Sequence, residues 1–151
     1  MDNNKISHHI SQQFNEELED IRNKVLAMGG LVEQQIEQAV KAFMSGDIEI
    51  AEQVLQVGDE VNELEINIDQ ESMEILARRQ PAAFDLRLLL AVIKTITELE
   101  RIGDQAERVA HMAIHLADID HSQNEYYELQ HLSELVKGML HGALDAFARM
   151  D

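Results

Sequence analysis

The chain has no cysteine and no tryptophan, a single proline, seven glycines, and only four Phe and two Tyr as aromatics. Without cysteine there are no disulfides and no thiol chemistry, which fits a reducing compartment. With so little glycine and proline there are few places for the chain to turn, so long elements are expected. Cations are scarce too: 12 Lys and Arg stand against 29 Asp and Glu, a formal net charge of −17. That balance speaks against a nucleic-acid partner, whose backbone requires clustered cations. It admits metal cations or basic protein surfaces instead. No apolar run approaches the roughly 20 residues of a membrane span. The opening MDNNKISHHISQQF also lacks the apolar segment of a signal peptide. A soluble, cytoplasmic chain without direct membrane insertion is the expectation.

What is present is a chain of 151 residues, 45% of them apolar, dominated by Ala, Leu, Ile, Val and Met together with Glu and Gln. That suits one compact helical domain, or one domain and part of another. Phe14, Leu18, Ile21, Val25, Met28, Val32, Ile36, Ala39 and Phe43 recur at a mean spacing of about 3.6, the helical period. The stripe keeps its phase across Gly29-Gly30, which predicts a soft or closely packed point within one helix. Ser45-Gly46-Asp47 closes it and caps the next. The second stripe, Ile50, Val54, Val57, Val61, Leu64, Ile68 and Ile75, ends at Arg78-Arg79-Gln80-Pro81. Two cations suit a helix C-terminus, and Pro81 suits the first turn of the next helix. A third helix is predicted from about Ala82 to about Ala117, then a polar loop over 118–124. A fourth stripe runs from near Tyr126 through Leu129, Leu132, Leu135, Val136, Met139, Leu140, Leu144 and Phe147 to Asp151. It carries no evident stop signal, as though the chain were cut within a helix or just after one. The fold expected is all-α: an antiparallel three-helix bundle over residues 1–118, with a loop and a fourth long helix over 119–151.

Within the third helix, ELERIGDQAERVAH (98–111) raises the functional question. At about 100° per residue, Leu99, Gly103, Ala106 and Ala110 share the buried face. Glu100, Asp104, Glu107 and His111, continued by His115, form a strip beside it. On spacing alone such carboxylates are first read as solvated helix surface, where repulsion costs a few tenths of a kcal/mol and Arg101 and Arg108 offer partial neutralisation. The sharper reading is a site for a hard cation, with oxygen ligands suiting Mg, Mn or Fe and imidazole suiting Fe or Zn. Asp59, Asn62, Glu65 and Asp69 repeat a three-or-four spacing on helix two and offer ligands from a second helix. Gly103 costs about 1 kcal/mol in a helix interior and reads as a device for close helix packing.

Other constellations carry less. Arg78, Arg79 and Arg87, beside Asp85, are the one cationic cluster, read as helix capping and ion pairing before phosphate or partner docking. His8-His9 reads as a frayed terminus, and His121, His131 and His141 as surface. Asp118-x-x-His121 and Glu128-x-x-His131 only superficially match the Glu-x-x-His element of di-iron bundles, which is needed on two facing helices. No phosphate loop of the Gly-x-x-x-x-Gly-Lys type exists, and the six serines form no nucleophile motif.

The run ILARRQPAAFDLRLLLAVIKTITELERIGDQAERVA (75–110) closely resembles the first of two repeats in the PhoU family. FNEELEDIRNKVLAMGGLVEQQIEQAV and GDEVNELEINID extend the resemblance over essentially the whole chain. It implies that Glu100 and Asp104 are metal ligands, as the two acids of an E-x-x-x-D motif, with Glu107 and His111 beside them. Arg108 and His111 depart from residues common in the family, and a cation one turn from Asp104 competes with metal for that carboxylate. The resemblance further implies a longer chain with a second three-helix bundle, so that this one is an N-terminal repeat plus one helix of the next. The exposed stripe of that helix predicts pairing between copies, as a homodimer or a helix-swapped oligomer. The implied function is that of a non-enzymatic adaptor that represses the phosphate-starvation response. It would contact the phosphate ABC transporter and a sensor histidine kinase at the inner membrane. A carboxylate-bridged metal enzyme and a metal-free helical interaction module are the alternatives.

Overall fold

The computed structural model describes residues 2–119 and 126–150, with side-chain surroundings from residue 5 onward. Its elements are α1 (Asp2–Ser45), α2 (Ile48–Arg79), α3 (Ala83–His115) and α4 (Tyr127–Arg149). The spacing of apolar residues produces the first three directly. Ile21, Val25, Met28 and Val32 of α1, Val54, Val61 and Ile68 of α2, and Leu89, Val92, Ile96 and Leu99 of α3 are almost wholly buried in one shared core. Burial of each such side chain contributes about 1.5–3 kcal/mol of transfer free energy.

The connections are short, which forces neighbours to run antiparallel. Gly46 adopts a left-handed φ of 69° and ends α1. The Asp47 carboxylate then accepts a hydrogen bond from the Ile50 N–H at 3.2 Å, capping α2. Arg78 and Arg79 occupy the last turn of α2, as their charge favours. Pro81, expected inside the first turn of α3, stands instead in the link before it. Ala82 is extended and has no side chain able to cap, so α3 opens at Ala83. It ends at His115, about two residues short of the expected limit, and the Leu116 N–H beyond it bonds back to the Met112 and Ile114 carbonyls.

Three helices form the bundle, and α4 packs on α1 alone. Leu140 and Leu144 are its buried apolar residues. The predicted close point at Gly29-Gly30 resolves into two different glycines. A Cβ on Gly29 would lie 2.5 Å from Leu144 Cδ2, whereas one on Gly30 would meet nothing within 4 Å. Lys137 with Glu37 at 3.9 Å and His141 with Glu33 at 3.1 Å flank this contact. Leu132, Leu135, Val136 and Met139 remain exposed, as the sequence predicts for a helix without its own bundle. One expectation for α4 is corrected. The helix has a stop that the sequence does not announce: it ends at Arg149, where Met150 turns left-handed (φ 61°) and its N–H bonds to the Ala146 and Phe147 carbonyls. Most of the predicted loop over 118–124, with His121, lies outside the described residues.

Candidate metal face between the second and third helices

The phase of α3 decides what this face is made of. Leu99, Gly103, Ala106 and Ala110 are buried, as their common face predicts. Glu100, Asp104 and Glu107 stand half-buried beside them, while His111 and His115 are exposed. Across the groove, α2 contributes Glu65, also half-buried, with Asp59 and Asp69 at the exposed edge. Asn62 is exposed.

These carboxylates are electrostatically one group. The Glu100 carboxyl is pushed up to about 7, first by burial, then by a hydrogen bond with Asp104 and by the charges of Asp104, Glu65 and Glu107. Glu107 is raised by burial and by Asp104 and Asp59, with His111 opposing the rise. Glu65 is raised by burial and by the charges of Asp69 and Asp104. Each therefore holds a proton more tightly than an isolated carboxylate, because the ionised forms repel one another at a partly dry surface.

The two arginines considered as neutralisers do not serve that purpose. Arg101 pairs with Glu98 on the solvent side at 3.0 Å. Arg108 is exposed, and among the described residues it has no carboxylate within salt-bridge distance. Arg108 makes no ion pair with Asp104 among the described residues. Excess negative charge stays on this face.

Glycine shapes its floor. A Cβ on Gly58 would fall on Glu107 Oε1, so that carboxylate lies directly over the bare backbone of α2. A Cβ on Gly103 would come within 2.8 Å of Gln35 Oε1. Gln35, from α1, is only 1% exposed. Its Nε2 donates to the Val54 carbonyl at 3.2 Å, but its Oε1 is buried with no hydrogen-bond partner. Neither Gln35 nor Gly58 stood out in the sequence. The available signals were a glycine inside the α2 stripe, one residue after Val57, and a glutamine in phase with Val32 and Ile36.

The donor set suits a hard cation: carboxylate oxygens from two helices, an unneutralised surplus of charge and an orphaned amide oxygen beneath. Among the described residues, no three His, Asp or Glu side chains are already gathered as a ligand set. Glu100, Asp104, Glu107 and Glu65 are the residues the fold brings together, with His111 at the rim.

Elsewhere the polar residues pair or stand exposed, but His8 and His9 lie within α1 and not in a frayed terminus. Arg79 makes two bonds to Glu17 of α1, at 3.0 and 3.4 Å, and Arg78 approaches the same carboxylate at 3.7 Å. These two arginines fasten α2 to α1. Arg87 is exposed on α3. His8, His9 and His131 are exposed, and His141 is engaged with Glu33.

An all-α assembly with a carboxylate-rich groove between two bundle helices defines a helical-bundle protein with a cation-attracting face. The chain belongs to the PhoU family, whose PhoU domain model matches residues 25–113. It is 52% identical over 146 residues to a phosphate-specific transport system accessory protein PhoU homolog of Pseudomonas aeruginosa, covering 97% of this chain and 60% of the relative. The PhoU accessory protein of Escherichia coli K12 is 45% identical over 151 residues, covering all of this chain and 62% of the relative. The crystal structure of PhoU from Pseudomonas aeruginosa superposes with a TM-score of 0.86 at 51% identity, over 91% of this chain and 66% of that one. The chain thus spans about three-fifths of the length of these curated relatives.

Proposed function

We propose that the chain acts as a non-enzymatic accessory of phosphate transport, a regulatory adaptor that represses the phosphate-starvation response when phosphate is plentiful. The observation that carries this reading is the family match over residues 25–113, joined to relatives whose names describe accessory proteins of the phosphate-specific transport system. Its partners are then the phosphate ABC transporter and a sensor histidine kinase, met at the inner face of the membrane from the cytoplasm. No helix among the described residues is long and apolar enough to cross a membrane, which agrees with attachment through protein partners. The acidic surface disfavours direct contact with anionic lipid.

The carboxylate face supplies the second part of the proposal. A divalent ion (Fe, Mn, Mg or Zn) held by Glu100 and Asp104, with Glu107 and His111 beside them and Glu65 of α2 across the groove, would brace α2 against α3 by preferring the folded form. The exposed face of α4 is the surface on which two copies would associate into a homodimer. Deletion in the host is expected to leave the phosphate regulon constitutively on, and an unchanged phosphate response would overturn the adaptor reading. Metal analysis of the native chain, Glu100→Ala and Asp104→Ala tests the ion. Equally low metal in all three would remove that part alone.

A further inference from the structure

Gln35 of α1 is 1% exposed, and its amide oxygen is buried without a hydrogen-bond partner. Its surroundings are set by two absent side chains. On one side Gly58 leaves room for both the Gln35 amide nitrogen, 3.4 Å from where a Cβ would stand, and the Glu107 carboxylate. On the other side Gly103 leaves room for the amide oxygen. Gly103 sits three residues after Glu100 and four before Glu107, on the bare patch of α3 between their two turns. The amide cannot be reversed without loss. Its Nε2 is held by the Val54 carbonyl, and reversal would set two acceptors against each other. The orientation that satisfies the donor therefore leaves the oxygen facing α3 with no donor to meet it.

A buried acceptor without a donor is costly, and protein interiors rarely keep one without a reason. A hydrophobic residue of similar size would fill this place at no such cost. What a neutral amide oxygen offers that an apolar group does not is a lone pair, here directed at Gly103 on α3, between the turns that carry Glu100 and Glu107. Amide carbonyls of Asn and Gln are ordinary ligands for hard cations, combined with carboxylates in mixed oxygen shells.

We propose that Gln35 is an oxygen ligand contributed by α1, which makes the cation site a three-helix site in place of a two-helix groove. This rests on the reading of the acidic face as a cation site. The amide adds coordination without adding charge to a surface already overloaded with it. It also sets depth, because the Gln35 oxygen lies below the carboxylates, on the core side of α3. A cation reaching it leaves the rim and ties α1 to α2 and α3 together.

The test is calorimetric titration of the full chain with manganese chloride alone, alongside thermal melting with and without the ion. Gln35→Leu keeps the volume and removes the orphaned acceptor. Its metal-free midpoint is expected to equal or exceed that of the parent, while its manganese affinity falls on the order of 10- to 100-fold and the ion-induced rise in midpoint shrinks. Gln35→Glu, which restores an oxygen, is expected to recover manganese affinity. Parent-like binding by Gln35→Leu would overturn the proposal while leaving the cation site standing. Absence of manganese binding by the native chain would overturn both. Should Gln35→Leu fail to fold, Gln35→Asn retains the amide but withdraws its oxygen by one methylene. Weakened binding then supports the assignment, and native affinity overturns it.

Discussion

Glycine does opposite things at neighbouring positions. Gly30 has open space where a side chain would go, so Gly30→Ala should gain helix propensity, about 1 kcal/mol, and raise the melting midpoint. Gly29→Ala places a methyl against Leu144 and should lower stability or loosen α4; a pair of thermal melts separates the two. Gly58→Ala is expected to fold, because the atom in its way is the tip of a long side chain. It should push Glu107 outward and return its carboxyl toward the ordinary range, measurable by NMR titration of side-chain carboxyls. The residue scale is also where the sequence was least legible. MGG announced a close or soft point, but choosing between the glycines required Leu144, over a hundred residues away. Gln34 and Gln35 are chemically identical in the sequence, and only the phase of Val32 and Ile36 distinguishes the buried one. Glu100 and Asp104 were readable because helical geometry is local. That neither Arg101 nor Arg108 neutralises them was not, since side-chain direction depends on rotamers as well as register.

Among the elements, α1 to α3 were legible over most of their length, because a period of about 3.6 and an Asp N-cap are local signals, but α1 begins at Asp2, well before the first apolar residue of its stripe, Phe14. Asp47→Ala should cost about 1 kcal/mol, read by chemical denaturation. The ends of α3 and α4 were less legible. Pro81 could precede or begin a helix, and a left-handed cap on Met150 has no glycine to announce it. α4 is the weakest member, held by Leu140, Leu144, the Lys137–Glu37 ion pair and the His141–Glu33 contact at the rim. Exposed ion pairs of this kind contribute at most about 1 kcal/mol, so the leucines dominate. Leu144→Ala should cost roughly 2 kcal/mol of docking energy, at the low end for buried leucines. Hydrogen exchange is expected to accelerate across α4 while the amides of α2 and α3 keep their protection.

For the whole molecule, charge decides how stability responds to solution. Glu65, Glu100 and Glu107 all bind protons more tightly when folded than their ordinary range of about 4.5. Their protonation therefore stabilises the fold. That contribution is complete below about pH 4.5 and is lost as pH rises through the folded value, about 7 for Glu100. The melting midpoint should rise as pH is lowered from 8 to 5.5. A divalent ion should stabilise the chain more at pH 8 than at 5.5, because protons and metal compete for the same oxygens. A midpoint that falls over that interval would show the carboxylates to be too solvated to interact.

The middle of α1 is shared property. Gly29 receives Leu144 of α4, and Gln35, six residues and about 9 Å further along the axis, is wedged among Gly58, Gly103 and Val54. From Met28 to Ile36, only Gly30 and Gln34 are exposed. A saturation library across this window should therefore return few survivors outside those two positions, since most substitutions would have to suit neighbours on opposite sides of one helix. Sequence drift in this stretch is constrained twice, and change on either side of α1 must wait for change on the other.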